Sequence, residues 1–215
     1  PIESGPLRDA VEDVFERAGF SCEQVYQMDA SSRSTHSNAY FVGFGRTKRV
    51  VLFDTLLDQM GHDQIKSVLA HELAHWKKKH IWKQLASSAL RIGVVLAVFS
   101  VLLEQSWLYE MFGVPETNYA GLALGALWIE PLVRLSAPLE NKLSLAHERE
   151  ADSFAVEVMD GGAAMADALA NLTSENLANP FPHPLYATFH YTHPPIPERI
   201  KNIEGESDGG ATGEL

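Results

Sequence analysis

Apolar positions recur along the chain in distinct patterns, and each predicts a different element. Residues 7–18 (LRDAVEDVFERA) bring Leu7, Val11, Val14 and Phe15 to one side at helical spacing, with Gly19 where a helix stop belongs. Residues 24–29 alternate like a short strand, and residues 30–37 are polar and turn-prone. Residues 38–44 (NAYFVGF) and 49–54 (RVVLFD) flank Gly45-Arg46-Thr47-Lys48, which predicts a hairpin. Residues 65–79 (IKSVLAHELAHWKKK) hold no Pro or Gly and are built from good helix formers. Residues 140–160 (ENKLSLAHEREADSFAVEVMD) predict another strong helix, ending at Gly161-Gly162. A further helix is expected over 163–176, a proline-rich turn over 179–184, and a disordered acidic tail over 204–215. The fold class predicted is α+β, mainly helical, with a small antiparallel sheet whose open edge would lie alongside the 65–79 helix.

Two stretches break this amphipathic pattern. Residues 85–103 are apolar over about 28 Å of helix, with Arg91 their only charge. Residues 119–135 are also apolar but include Glu130, Pro131 and Arg134, the first and last of which stand at i,i+4 and can pair. By hydropathy alone they read equally as buried helices of a soluble domain. Charge distribution tips the balance. Lys77, Lys78, Lys79 and Lys83 crowd the entry to the first stretch, and Lys142 and Arg149 follow the second. The connection over 104–118 carries Glu104, Glu110 and Glu116 with no Lys or Arg. That asymmetry predicts a transmembrane hairpin over 85–137 with both outer ends in the cytoplasm, and Trp82, Trp107, Tyr109 and Tyr119 near its interfaces.

The chemistry centres on residues 65–79. His71 and His75 stand at i and i+4, so on a helix both imidazoles can reach one ion, and Glu72 is turned about 100° from the first. This is the H-E-x-x-H pattern, in which zinc acidifies a water and the Glu is general base. A hairpin that crosses and returns would bring residues 140–160 back to the same side. There Glu148 and, one turn on, Asp152 would supply a third ligand and a partner for a histidine N–H. Glu150 and Glu157 fall on other faces and are expected to be solvated, and His147 points away from the ligand side. His193, followed by Pro194 and Pro195, reads on its own either as a positioned oxyanion donor or as a histidine in a turn leading into the last helix.

With 215 residues and 46% hydrophobic content the chain can bury a core. A formal net charge of −11 argues against a nucleic-acid surface. The single cysteine, Cys22, excludes an internal disulfide and is expected to be an inert, partly buried side chain. The chain opens at Pro1 with no initiator methionine or signal-peptide pattern, which predicts part of a longer protein.

Taken together, HSNAYFVGFGRTKRVVLFDTLL, LAHELAHWKKKH, HEREADSFA and HYTHPPIPERI resemble successive blocks of the type I CAAX prenyl endopeptidases, integral-membrane gluzincin metallopeptidases. The resemblance runs from about residue 1 to residue 203 and is to the C-terminal catalytic part of that family. It implies a gluzincin-like peptidase domain (residues 1–84 and 138–203) into which the membrane hairpin is inserted. It implies one Zn2+ per chain held by His71, His75 and Glu148, with Glu72 as base and Asp152 bonded to a ligating histidine. His193 would then stabilise the oxyanion and Arg199 would fall near the site. Asn38 and Ala39 would pair with substrate as an added β-strand. One departure stands out: Ser144 is followed by Leu145 where relatives usually carry Arg. HPLY and HYTHPP look more like bacterial members, whose inner membrane would then be the location rather than the endoplasmic reticulum. The expected function is zinc-dependent endoproteolysis of extended peptides at the cytoplasmic face of a membrane, with membrane lipid as a further partner and substrate prenylation left open. The alternatives are a peptide-binding quality-control subunit with a structural zinc, and a soluble zinc peptidase.

Overall fold

The computed structural model describes residues 1–20, 24–33, 38–42, 49–176 and 179–210. Within them the order is α1 (Pro6–Arg17), β1 (Gln24–Met28), β2 (Ala39–Val42), β3 (Arg49–Phe53), α2 (Asp54–Gln59), α3 (His62–Lys77), α4 (His80–Leu103), α5 (Ser106–Phe112), α6 (Asn118–Met159), α7 (Ala163–Asn176), α8 (Pro184–His190) and α9 (Ile196–Gly210). The chain divides into two compact units: Pro1–His80 with Ala146–Pro182 and His193–Leu215, and Ile81–Leu145 with His183–Thr192.

In the first unit α1 stops where the glycine predicts. Gly19 takes φ +64°, and the Phe20 N–H returns to Phe15 O at 2.7 Å, closing the last turn. The sheet has the order β1-β3-β2. It is mixed rather than wholly antiparallel: β2 runs antiparallel to β3, but β1 runs parallel to it. Successive strands alternate in direction, and β3 inserts between the two earlier ones, so it must run the same way as β1. The expected turn at 45–48 and Cys22 lie outside the described residues.

The core is built around α3. Leu69, Ala70, Leu73 and Ala74 are fully buried, and α1, β2 and α7 pack against the helix. Each buried leucine contributes roughly 1.5–3 kcal/mol of apolar transfer, which holds α3 in one rotational setting. Ala151, Phe154, Ala155 and Val158 of α6 enter the same cluster. Those positions repeat at helical spacing, and the face they define carries Glu148 and Asp152. A smaller cluster joins α7 and α9 through Met165, Leu169 and Ile203. The helix α9 continues to Gly210, so residues 204–210 correct the expectation of a disordered tail from residue 204. Burial of Ile203 and a 2.7 Å bond from Ser153 Oγ to Glu206 tether that stretch. Residues 211–215 lie outside the described residues.

The second unit is a helical assembly of a different character. Only 6% of the most apolar stretch of α4 and 11% of that of α6 consists of buried residues, whereas a core helix of a soluble protein is mostly buried. Leu90, Val94 and Val101 of α4 and Leu122 and Leu127 of α6 are more than half exposed. Arg91 pairs with Glu140 at 2.8 Å, and Glu140 also accepts from Ser88, so the charge inside α4 is neutralised within the unit. Glu130 and Arg134 pair at 3.1 Å, as their spacing predicts. Trp82, Trp107 and Tyr119 are exposed. Tyr109 is buried instead, its hydroxyl donating to Leu103 O at 2.9 Å, because α5 folds the 104–118 connection back on the helix ends. Another difference lies in α6, which the sequence divides near residue 137. It is one helix of 42 residues, although Pro131 and Pro138 each remove one backbone donor from its interior. The short helix α8 was not expected from its proline-rich surroundings; Pro184 starts it at a position where an N–H is dispensable.

Gly121 and Gly125 of α6 mark the close approach to α4 and α5. A Cβ at Gly121 would meet Tyr109 Oη and Leu103, and one at Gly125 would run into the ring of Phe99. Gly125→Val is therefore expected to lower the unfolding midpoint of the detergent-purified protein by an amount equivalent to about 1–3 kcal/mol. Gly93→Ala, where a Cβ meets nothing within 4 Å, is expected to leave the midpoint unchanged or raise it.

Candidate metal centre

The helix α3 starts at Gly61, whose N–H is taken by Gln64 Oε1 at 3.0 Å, and runs unbroken through Lys77. One turn separates His71 from His75, and their Nε2 atoms stand 3.1 Å apart. Glu148 of α6 approaches from the other side, with Oε2 3.6 Å from His71 Nε2 and Oε1 3.3 Å from His75 Nε2. Metal–ligand bonds of about 2.0–2.1 Å in a tetrahedron place neighbouring ligand atoms roughly 3.3–3.4 Å apart, and the two imidazole nitrogens and the two oxygens of Glu148 stand at spacings of that order. His71 and Glu148 are buried and His75 is half-buried. Among the described residues this is the only set of three such side chains that converges in this way.

Electrostatics favour the same reading. Burial by itself pushes the Glu148 carboxyl up, but contacts from His193 and His75 and the charge of His71 outweigh it and hold the group well below the usual carboxylate range. His193 Nδ1 lies 2.8 Å from Glu148 Oε2, an ion-pair distance without the alignment of a hydrogen bond, which leaves a buried oxygen lone pair to be met by a cation. The donor set therefore fits a divalent metal of zinc type: two imidazoles, one ionised carboxylate, and an open side toward exposed His193.

Glu72 sits next to this cluster on α3. Burial raises its pKa, against the pull of His71 and His75, which brings a carboxylate toward the range of a general base. Asp152, one turn beyond Glu148, lies 2.9 Å from His71 Nδ1 and fixes that ring with its Nε2 toward the centre. Arg199 of α9 grips Asp152 with two bonds of 2.6 and 2.9 Å and reaches Glu148 Oε2 at 3.6 Å. Burial pushes Asp152 up, but bonds from His71 and Arg199 prevail and keep it low. The pKa of His193 is raised, chiefly by Glu148. The first turn of α9, closed by Glu198 and Arg199 N–H groups on Pro195 O, sets the position of Arg199 just after this histidine.

The strand residues occupy an edge. Asn38 O accepts from Phe53 N at 3.1 Å, so in the antiparallel alternation Ala39 turns its own N–H and C=O away from β3 toward the open side of β2. Ala39 N–H is held there by Asn38 Oδ1 at 2.9 Å. The strand β2 packs on α3, the helix that carries His71 and His75.

Three further residues lie beside the centre, outside the converging set. Glu150, expected to be solvated, lies 2.9 Å from His80 Nε2 and 3.2 Å from Lys78 Nζ. His80 is 2% exposed, and its Nδ1 is 3.0 Å from His75 Nδ1. His147 stacks on His80 with centroids 4.1 Å apart and planes within 10°. Nothing in the local sequence marks His80, because i,i+5 is not a face-sharing interval on a helix. Glu157 is exposed, as expected.

A family model described as peptidase family M48 matches residues 1–207. The chain is 35% identical over 208 residues to a CAAX prenyl protease 1 homolog of Arabidopsis thaliana, covering 96% of this chain and 49% of that protein. It is 32% identical over 230 residues to CAAX prenyl protease 1 of Saccharomyces cerevisiae, covering 97% and 49% respectively. Against the homolog of Homo sapiens the identity is 28% over 244 residues, covering 95% and 51%. Among solved structures it is similar to that described as the crystal structure of S. mikatae Ste24p, with a TM-score of 0.82 and 32% identity over 94% of this chain and 51% of that one. The chain thus spans about half the length of the curated relatives it matches.

The buried Asp152–Arg199 pair yields a direct stability test. Asp152→Ala strands the Arg199 guanidinium in the interior and is expected to cost about 3–5 kcal/mol in thermal or denaturant unfolding. Replacing both, as Asp152→Ala with Arg199→Met, is expected to recover most of that loss.

Proposed function

The chain belongs to peptidase family M48, and on that footing we propose that it is the catalytic portion of a zinc-dependent endopeptidase acting on extended peptides at the cytoplasmic face of a membrane. The observation that carries this reading is the convergence of His71 Nε2, His75 Nε2 and Glu148 at metal-ligand spacing, with the half-buried Glu72 beside them. His71, His75 and Glu148 would hold the ion. When bound, zinc supplies Lewis acidity, polarising a carbonyl and acidifying water.

The protein's own groups do the rest. Glu72 takes the proton of the attacking water and passes it to the leaving amine, a role suited to a carboxylate whose pKa is raised by burial. His193, whose side chain is 64% exposed, donates to the oxyanion. The outward N–H and C=O of Ala39 receive the peptide as an added strand once Asn38 releases the N–H and contacts the substrate in its turn. Asp152, itself held by Arg199, accepts from His71 Nδ1–H and keeps that ring in the required tautomer. The relatives' names, CAAX prenyl proteases, point to a CAAX peptide with a prenyl group as the substrate class. A purely structural zinc would have no use for Glu72 at this place.

The membrane reading rests on the exposed apolar sides of α4 and α6 together with the lysines at the start of α4. The span over 85–137 is proposed as the inserted hairpin, its ends and the catalytic residues on the cytoplasmic side.

Two experiments test this. Glu72→Gln is expected to keep about one zinc per chain by metal analysis while cleavage of prenylated and unprenylated peptides falls by at least ~100-fold; cleavage at the wild-type rate would remove Glu72 as the base. For topology, an epitope inserted near Glu116 is expected to resist protease in sealed cytoplasm-side-out vesicles, and one at the C-terminus to be digested. The reverse pattern would place the catalytic side outside.

A further inference from the structure

We propose that His80 and Glu150 form a positioning relay for the second zinc-binding histidine, His75, with His147 stacked on the His80 ring to hold it in place. This rests on the zinc reading above and extends it to residues outside the ligand set.

Proton accounting leads to the relay. For His75 Nε2 to offer a lone pair to a metal, the ring proton must be on Nδ1. His75 Nδ1 lies 3.0 Å from His80 Nδ1, so His80 must accept there and carry its own proton on Nε2. That Nε2 lies 2.9 Å from Glu150 Oε2, an acceptor. One assignment thus satisfies every atom: His75 N–H to His80, and His80 N–H to Glu150. The opposite tautomer of His80 would set two N–H groups against each other at 3.0 Å and turn an unprotonated Nε2 toward Glu150 Oε2.

The surroundings hold these atoms in place. His80 is 2% exposed and His147 is 5% exposed, with the two rings stacked at 4.1 Å. Lys78 Nζ reaches the other oxygen of Glu150 at 3.2 Å. The chain also accepts backbone strain here: Lys79 adopts φ +58°, a left-handed conformation that L side chains rarely take. Lys79 stands between α3 and His80, and the break it makes in the helix lets a residue five positions after His75 reach that ring. The two imidazole ligands are therefore braced by the same chemistry over different distances. Asp152 contacts His71 directly, whereas Glu150 acts on His75 through an intervening imidazole.

The test measures the apparent zinc dissociation constant of the intact, detergent-purified protein by chelator competition, alongside the melting of its metal-free form. His80→Ala is expected to weaken zinc by roughly 10–100-fold, the usual cost of removing such a partner. His80→Asn, which returns an acceptor near the Nδ1 position, is expected to recover most of the affinity, with metal-free melting unchanged in both. A purely structural role for His80 would not give rescue by Asn. Affinity within twofold of wild type in His80→Ala, or no recovery in His80→Asn, overturns the relay. If His80→Ala fails to fold, Glu150→Leu decides at a half-exposed position. A weakening of about 3–10-fold supports the relay, and affinity within twofold overturns it. Wild-type protein that holds no zinc would instead overturn the metal reading itself, so the two failures are distinguishable.

Discussion

An ionised carboxylate inside a protein costs several kcal/mol unless positive charge and hydrogen-bond donors come to it, and Glu148 is 4% exposed. Most of the first unit can be understood as the means of meeting that demand. Two imidazoles arrive from α3, one from the segment before α9, and a guanidinium from α9 itself. Each must be delivered by a different element, so each element must be held. The fully buried Leu69 and Leu73 lock the rotation of α3, and Ala151, Phe154 and Ala155 lock that of α6. Ile203, packed with Met165 and Leu169, seats α9.

Around the centre the polar groups are ordered by how they are neutralised. Arg199 and Asp152 form a bidentate pair with almost no access to water. Replacing such a pair with apolar groups is often neutral in stability, so geometric control of His71 is the better account of its presence. The other ligand is controlled from the opposite flank, where the strained Lys79 joint, the stacked His80 and His147 rings and Glu150 meet. The apolar core thus carries a polar lining in which hardly any donor direction is left arbitrary.

The second unit obeys another rule. Its helices turn leucine, valine and isoleucine outward, pair their interior charges within the unit, and approach one another at glycines. Those choices suit a surrounding medium as apolar as the side chains themselves. The helix α6 belongs to both regimes. Its first part carries the apolar run and two prolines, and its last part carries Glu148 and Asp152.

What could be read directly from the residues was whatever depends on local period. The i,i+4 spacing of His71 and His75 determines that they share a face wherever α3 sits, and the same holds for Glu148 and Asp152. The apolar face of α1, its stop at Gly19 and the two long apolar runs were legible for the same reason. Whatever depends on which faces meet was not legible. The parallel pairing of β1 with β3, the continuity of α6 through Pro131 and Pro138, and the burial of Tyr109 all follow from packing. So does the chain from His75 to Glu150, whose last two members, His80 and Glu150, lie 70 residues apart. Local periodicity assigns each side chain a direction, but only the closing of a shared core decides what lies in that direction. The convergence of His71, His75 and Glu148 was therefore foreseeable from spacing and resemblance, and the residues that surround it were decided by the tertiary structure.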